Sequence, residues 1–228
     1  MNIFLQVGDL TGFSFFLASM ALLAATVFFL LERGSVSSKW KLSLTLTTLI
    51  TGIAAVHYHY MTHAWILSSA SPTEIRYLDW LLTVPLMCIG FYVILQAIGH
   101  ASRHILYRLF GYSVGMLVFG YLGETLLLDP MIAFGIGIIL YGLILYEIFK
   151  GDTAKAMELS SHFKLKSSFK ILRLFVLIGF AIYPLGYYIS VLSGVEITTV
   201  VYNLTDVINK IGFSLVIYLL ARSDSHIG

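Results

Sequence analysis

Charge is what this chain has least of. Asp, Glu, Lys and Arg make up 11% of its 228 residues and hydrophobic residues 58%, whereas soluble globular domains carry roughly one charged residue in four. With a mean hydropathy of +0.89, a soluble globular domain is excluded. Cysteine occurs once, as Cys88; an internal disulfide is therefore impossible, and its place in an apolar run assigns it to packing. Met1 to Asp9 contain no lysine or arginine, so no cleavable signal peptide is expected and the first apolar run reads as a true span. Internal repeats, low-complexity tracts and composition breaks are missing too, which gives the expectation of a single domain, 1–228.

What is present are runs long enough to cross a bilayer, which takes about 20 apolar residues. Seven are found, at 12–31, 42–61, 75–98, 106–127, 130–149, 169–192 and 200–220, with short connections except for the polar stretch 150–166. The fold class predicted is all-α, a seven-transmembrane-helix bundle. Twelve of the 14 lysines and arginines, from Arg33 to Arg222, then fall on one side, while Asp9, Glu74, Glu124, Asp129 and Glu196 fall on the other, with Arg76 as the only base near that boundary. The positive-inside rule places the N-terminus outside and the C-terminus in the cytoplasm.

The exception to this sorting is Lys210, inside the seventh run, with Asp206 four residues before it and so on the same helix face. Ionisable groups at membrane depth cost at least a few kcal/mol and are kept for ion paths, proton relays or ligand counter-ions. A buried pair that only locks helices is the plain alternative, and an amine in an apolar site is also poised to form an imine. The third run opens Arg76-Tyr-Leu-Asp79-Trp80-Leu-Leu-Thr83, and the spacing of three and four puts Arg76, Asp79 and Thr83 on one face. His57 lies in the outer half of the second run. Two carboxylates, a guanidinium, an amine and an imidazole thus collect at one depth. His59 and His63 are expected at the outer interface; His57 and His59 point to different faces, which argues against a metal cluster.

Across nearly the whole chain these motifs resemble the microbial rhodopsins, specifically the proteorhodopsin group: Asp9–Phe15, Thr51-Gly-Ile-Ala-Ala-Val-His57-Tyr58, Arg76–Leu86, Gly120-Tyr-Leu-Gly-Glu124, Ile182-Tyr-Pro-Leu-Gly186 and Tyr202-Asn-Leu-Thr-Asp206 with Asn209-Lys210. The resemblance implies all-trans retinal bound to Lys210 as a protonated Schiff base, light-driven outward proton pumping, and an inner (plasma) membrane of a bacterium as the location. It makes Asp79 primary counter-ion and proton acceptor, Asp206 second counter-ion and Arg76 the balancing cation. Thr83, one turn inward, is expected to bond to Asp79. His57, 22 residues before Asp79 as in the family, is expected to bond to it and share its charge.

The same resemblance makes Trp80, Phe180, Tyr183 and Pro184 pocket walls, with Phe180 replacing the tryptophan of many relatives. Tyr58 and Tyr183 are expected to donate to Asp206. Met87 implies green absorption. Phe134 stands where carotenoid-binding relatives have glycine, so no carotenoid antenna is expected. Pro85 and Pro184 permit bending, Pro184 as hinge. Gly90 is a departure: relatives place a carboxylic acid there, about 16 Å inward of Asp79 on nearly the same face, to reprotonate the imine from the cytoplasm. Glycine there fits close helix packing or a water-filled path. Glu124 reads equally as an interfacial carboxylate or as a part of proton release. Protons, membrane lipid and a homo-oligomer, by resemblance a pentamer, are the partners implied; nucleic acid is not, nor is a metal. A photosensory rhodopsin with a separate transducer is the alternative function.

Overall fold

The computed structural model describes residues 4–160, 163–193 and 196–225; the side chains of Tyr187 and of residues 189–198 lie outside the description, and with them the charge expected of Glu196. The chain forms α1 (Leu10–Glu32), α2 (Lys41–Ser68), α3 (Thr73–Ala97), α4 (Arg103–Glu124), α5 (Pro130–Phe149), α6 (Asp152–Glu158), α7 (Phe163–Leu174), α8 (Ile182–Ser193) and α9 (Glu196–Ser225). Local signals set several boundaries. Asp9 caps α1 by accepting from the Gly12 amide at 2.7 Å. Asp129 caps α5 by accepting from Met131 and Ile132, and Pro130 opens that helix, where its missing N–H is not needed.

Six segments among the described residues are long and apolar enough to cross a membrane by length and composition. The seventh is α2. It has ample length at 28 residues, but its threonines, its histidines and Tyr58 dilute its apolar character. Those polar groups serve the interior: Thr47, Thr51 and Tyr58 are buried. α3 and α9 are the most enclosed spans, so the charges they carry lie at the centre of the bundle.

Two differences from the sequence reading stand out. The stretch 150–166 is not a plain connection. It contains α6, which buries Ala154 and Met157, and the buried Glu147 carboxylate at the end of α5 accepts from the Thr153 amide at 3.1 Å. The sixth run, expected as one helix over 169–192, is α7 and α8 joined through a π-helical turn, Phe175–Gly179. Pro184 lies in the first turn of α8, after that break, whereas α3 runs unbroken through Pro85. At the C-terminal end of the bundle, α9 is tied to the start of α2: Asp224 accepts from the Trp40 indole at 2.8 Å and pairs with Lys39 at 2.5 Å.

Candidate functional site

The site is built where α3 and α9 face each other. Lys210 is 1% exposed, and Asp79 and Asp206 are fully buried. Its Nζ touches Asp79 Oδ2 and lies 3.0 Å from Asp206 Oδ2. An amine between two carboxylates is a buried cation whose charge is over-compensated, and the remaining lone pairs need donors. Asp206 receives them from three side chains: Tyr58 at 2.7 Å, Tyr183 in a short contact, and the Trp80 indole N–H at 3.1 Å. Asp79 is poorer in donors, and its Oδ1 makes no hydrogen bond among the described residues.

The two carboxylates are therefore unlike. One is saturated with protein donors and fixed. The other touches the lysine with its second oxygen uncommitted, the arrangement expected of a proton acceptor.

Several expected contacts take another form. Thr83 Oγ1 donates to the Asp79 backbone carbonyl at 2.8 Å and not to its carboxylate, since a threonine one turn on reaches the i−4 carbonyl first. His57 Nδ1 comes within 3.4 Å of Asp79 Oδ1, yet neither atom has a hydrogen-bond partner among the described residues; the imidazole is beside Asp79 but not bonded to it. Arg76 forms no ion pair with Asp79 or Asp206 among the described residues. It donates to Asn203 Oδ1 at 3.0 Å and lies over the rings of Phe15 and Tyr202, each 5.4 Å from the guanidinium carbon. Its charge acts on the carboxylates through space. Asn203 was missed in the sequence, although 203, 206 and 210 repeat the three-and-four spacing of 76, 79 and 83. The role of Trp80 as donor to Asp206 was likewise missed, because an indole at a pocket position reads as a wall.

Beside Trp80 opens a mostly apolar cavity of about 370 Å³, walled by Met116, Tyr141, Phe180, Tyr183 and Pro184, a volume within the range of small-molecule sites. Trp80 and Tyr183 belong both to this wall and to the donor set of Asp206, so the cavity adjoins the Lys210 cluster. Flat aromatic walls next to a buried amine fit a polyene aldehyde. Met87 packs in the core cluster that includes Trp80 and Val84, both of which line the cavity. Phe134 lines the cavity, its ring 6.2 Å from that of Tyr188. Glu124, at the end of α4, borders the same cavity with Arg76. Gly90 is buried against α9, where a Cβ would meet Phe213 Cε1 at 3.1 Å; of its two readings, this supports close packing.

The profile of the bacteriorhodopsin-like protein family matches residues 9–223. The chain belongs to this family. Among its relatives, a green-light absorbing proteorhodopsin from Gamma-proteobacterium EBAC31A08 is 42% identical over 97% of this chain and 90% of its own length. A blue-light absorbing proteorhodopsin from Gamma-proteobacterium Hot 75m4 is 41% identical over the same shares. The crystal structure of a blue light-absorbing proteorhodopsin from Med12 superimposes with a TM-score of 0.82 at 40% identity, covering 95% of this chain and 100% of that one. As a bacteriorhodopsin-like protein, the chain is a multi-pass membrane protein and a light-driven rhodopsin. Its cofactor is retinal, held by Lys210, the lysine buried among the described residues.

Proposed function

We propose that this rhodopsin is a light-driven outward proton pump, with Asp79 as the proton acceptor. The observation that carries the reading is the contact of Lys210 Nζ with Asp79, a carboxylate whose other oxygen makes no hydrogen bond among the described residues. All-trans retinal, held by Lys210, would supply absorption of visible light and a light-driven change of shape next to the proton on Nζ. Asp79 takes that proton on Oδ2. Asp206 keeps its charge throughout, because Tyr58, Tyr183 and Trp80 all donate to it. Arg76 offsets the second negative charge, and His57 stands beside Asp79 with its Nδ1 3.4 Å from Oδ1. An acceptor carboxylate argues against chloride as the cargo.

With the N-terminus outside, Asp79 lies toward the outside of Gly90, so release follows the outward direction; Glu124 borders the cavity on that side and is a candidate for it. A single domain, 1–228, in the inner (plasma) membrane and a homo-oligomeric ring, pentamer favoured, complete this reading; native mass spectrometry tests the ring. Phe134 on the cavity wall speaks against a carotenoid antenna, and added carotenoid should transfer no excitation. Illuminated cells supplied with retinal should acidify their medium, and an uncoupler should abolish the signal. Colour without acidification would favour the photosensory alternative, which Gly90 keeps in view because slow recovery suits signalling.

With glycine in place of a carboxylic donor, the proton returning to Lys210 Nζ is drawn from the cytoplasm. Recovery after a flash should therefore slow as the solution is taken from about pH 6 to about pH 9, following proton supply. A rapid recovery, flat across that range, would reject this route.

A further inference from the structure

α9 carries a second line of polar groups. Lys210, Ser214, Tyr218 and Arg222 follow at four-residue intervals, so they stand on one helix face, each about 6 Å along the axis from the last. Ser214 is fully buried and Tyr218 is 6% exposed. The line ends at Glu32 of α1, which accepts from the Tyr218 hydroxyl and from Arg222 Nη1, both at 2.8 Å. α2 runs antiparallel alongside. Tyr58 pairs with Asp206 and Trp40 with Asp224, a register that sets Ser43 beside the C-terminal third of the line.

Buried hydroxyls inside helices normally bond to a carbonyl about one turn back. Thr47, Thr51 and Ser113 do so at 2.7 to 3.0 Å. Ser214 and Ser43, 0% and 1% exposed, have no hydrogen-bond partner among the described residues. An unmet buried hydroxyl is strongly disfavoured, and the usual remedy where protein offers none is a buried water with further polar neighbours. On the side of α9 that packs against Gly90 of α3, the contacts are the apolar Phe213 and Ile217.

We infer that Ser214, with Ser43 farther along at the Tyr218–Arg222 end, anchors a water-linked proton line along α9 and α2 that enters at Glu32 and Tyr218 and ends at Lys210 Nζ. The inference rests on the proton-pump reading and supplies the route that Gly90 leaves unassigned. One proton enters from solution at Glu32 for each that Asp79 has taken from Nζ; only O–H and N–H bonds are made and broken. Ser214 is a positioning residue, acting through the water it holds.

Two measurements decide it. In flash photolysis, Ser214→Ala should keep the colour and the fast transfer to Asp79 while lengthening recovery about tenfold to a hundredfold. Ser19→Ala, whose hydroxyl is already bonded to the Ala55 carbonyl, should leave recovery unchanged. In a high-resolution crystal structure, prepared with or without the pigment, an ordered water should lie within hydrogen-bonding distance of Ser214 Oγ and be lost in the alanine variant. Unchanged recovery in Ser214→Ala, or a dry Ser214, overturns the line. Failure of the pump reading looks different: no acidification by the parent protein, whatever its recovery kinetics.

Discussion

At the scale of single residues, the site is decided by how unequally two carboxylates are supplied with donors. Among the described residues, Asp206 has three side-chain donors besides the lysine and Asp79 has none besides it. Asp206→Ala would strand Tyr58, Tyr183 and Trp80 and leave Lys210 with one anion, and breaking a buried ion cluster in this way costs about 3–5 kcal/mol. Tyr183→Phe removes one donor of three and should cost only about 1–3 kcal/mol. Thermal loss of the visible band measures both, and equal melting of the two variants would show that Asp206 is not the hub. The charged members of this cluster were legible in the sequence because membrane-depth charges are rare and helical spacing groups them. The partners were less so. Asn203 and the Trp80 N–H matter only through which atom points at which oxygen, and spacing alone does not carry that.

At the scale of elements, the spans were readable from hydropathy, while the irregularities inside them were not. The π-turn over Phe175–Gly179 sits in a uniformly apolar run, and such a run has no residue that announces an extra backbone unit. Its cause is visible only in the packing. Gly179 approaches Asn209 of α9 so closely that a Cβ would lie 2.1 Å from Asn209 Oδ1, and Asn209 in turn donates to Tyr183 Oη at 3.4 Å. Glycine here lets the sixth span lean onto the helix bearing Lys210, next to the break before Pro184. Gly179→Ala should therefore push Asn209 aside and destabilise the protein by about 1–3 kcal/mol through overpacking, with a displaced visible band as Tyr183 moves. A variant with unchanged melting and colour would mean the close approach is incidental. The short α6 was missed for a different reason: its charged sequence reads as solvent-exposed, and the Glu147 carboxylate that receives the Thr153 amide belongs to the preceding helix.

For the whole molecule, the question is which end faces the cytoplasm, because the direction of pumping follows from it. The proposed orientation rests on where lysines and arginines fall, a rule about loops near the spans, and it can be tested without light. Cys88 is buried, so the natural chain offers a thiol reagent almost no background reaction. Ala70, in the connection between α2 and α3, is exposed, and Lys155 on α6 has 71% of its side chain exposed at the opposite end. With the N-terminus outside, Ala70→Cys should react with a membrane-impermeant maleimide on intact cells, and Lys155→Cys should react only after the membrane is opened. Reversed labelling would turn the bundle over. Asp79 would then face the cytoplasm, and the same transfer from Lys210 would drive protons inward, so the labelling pattern and the sign of the light-driven pH change must agree.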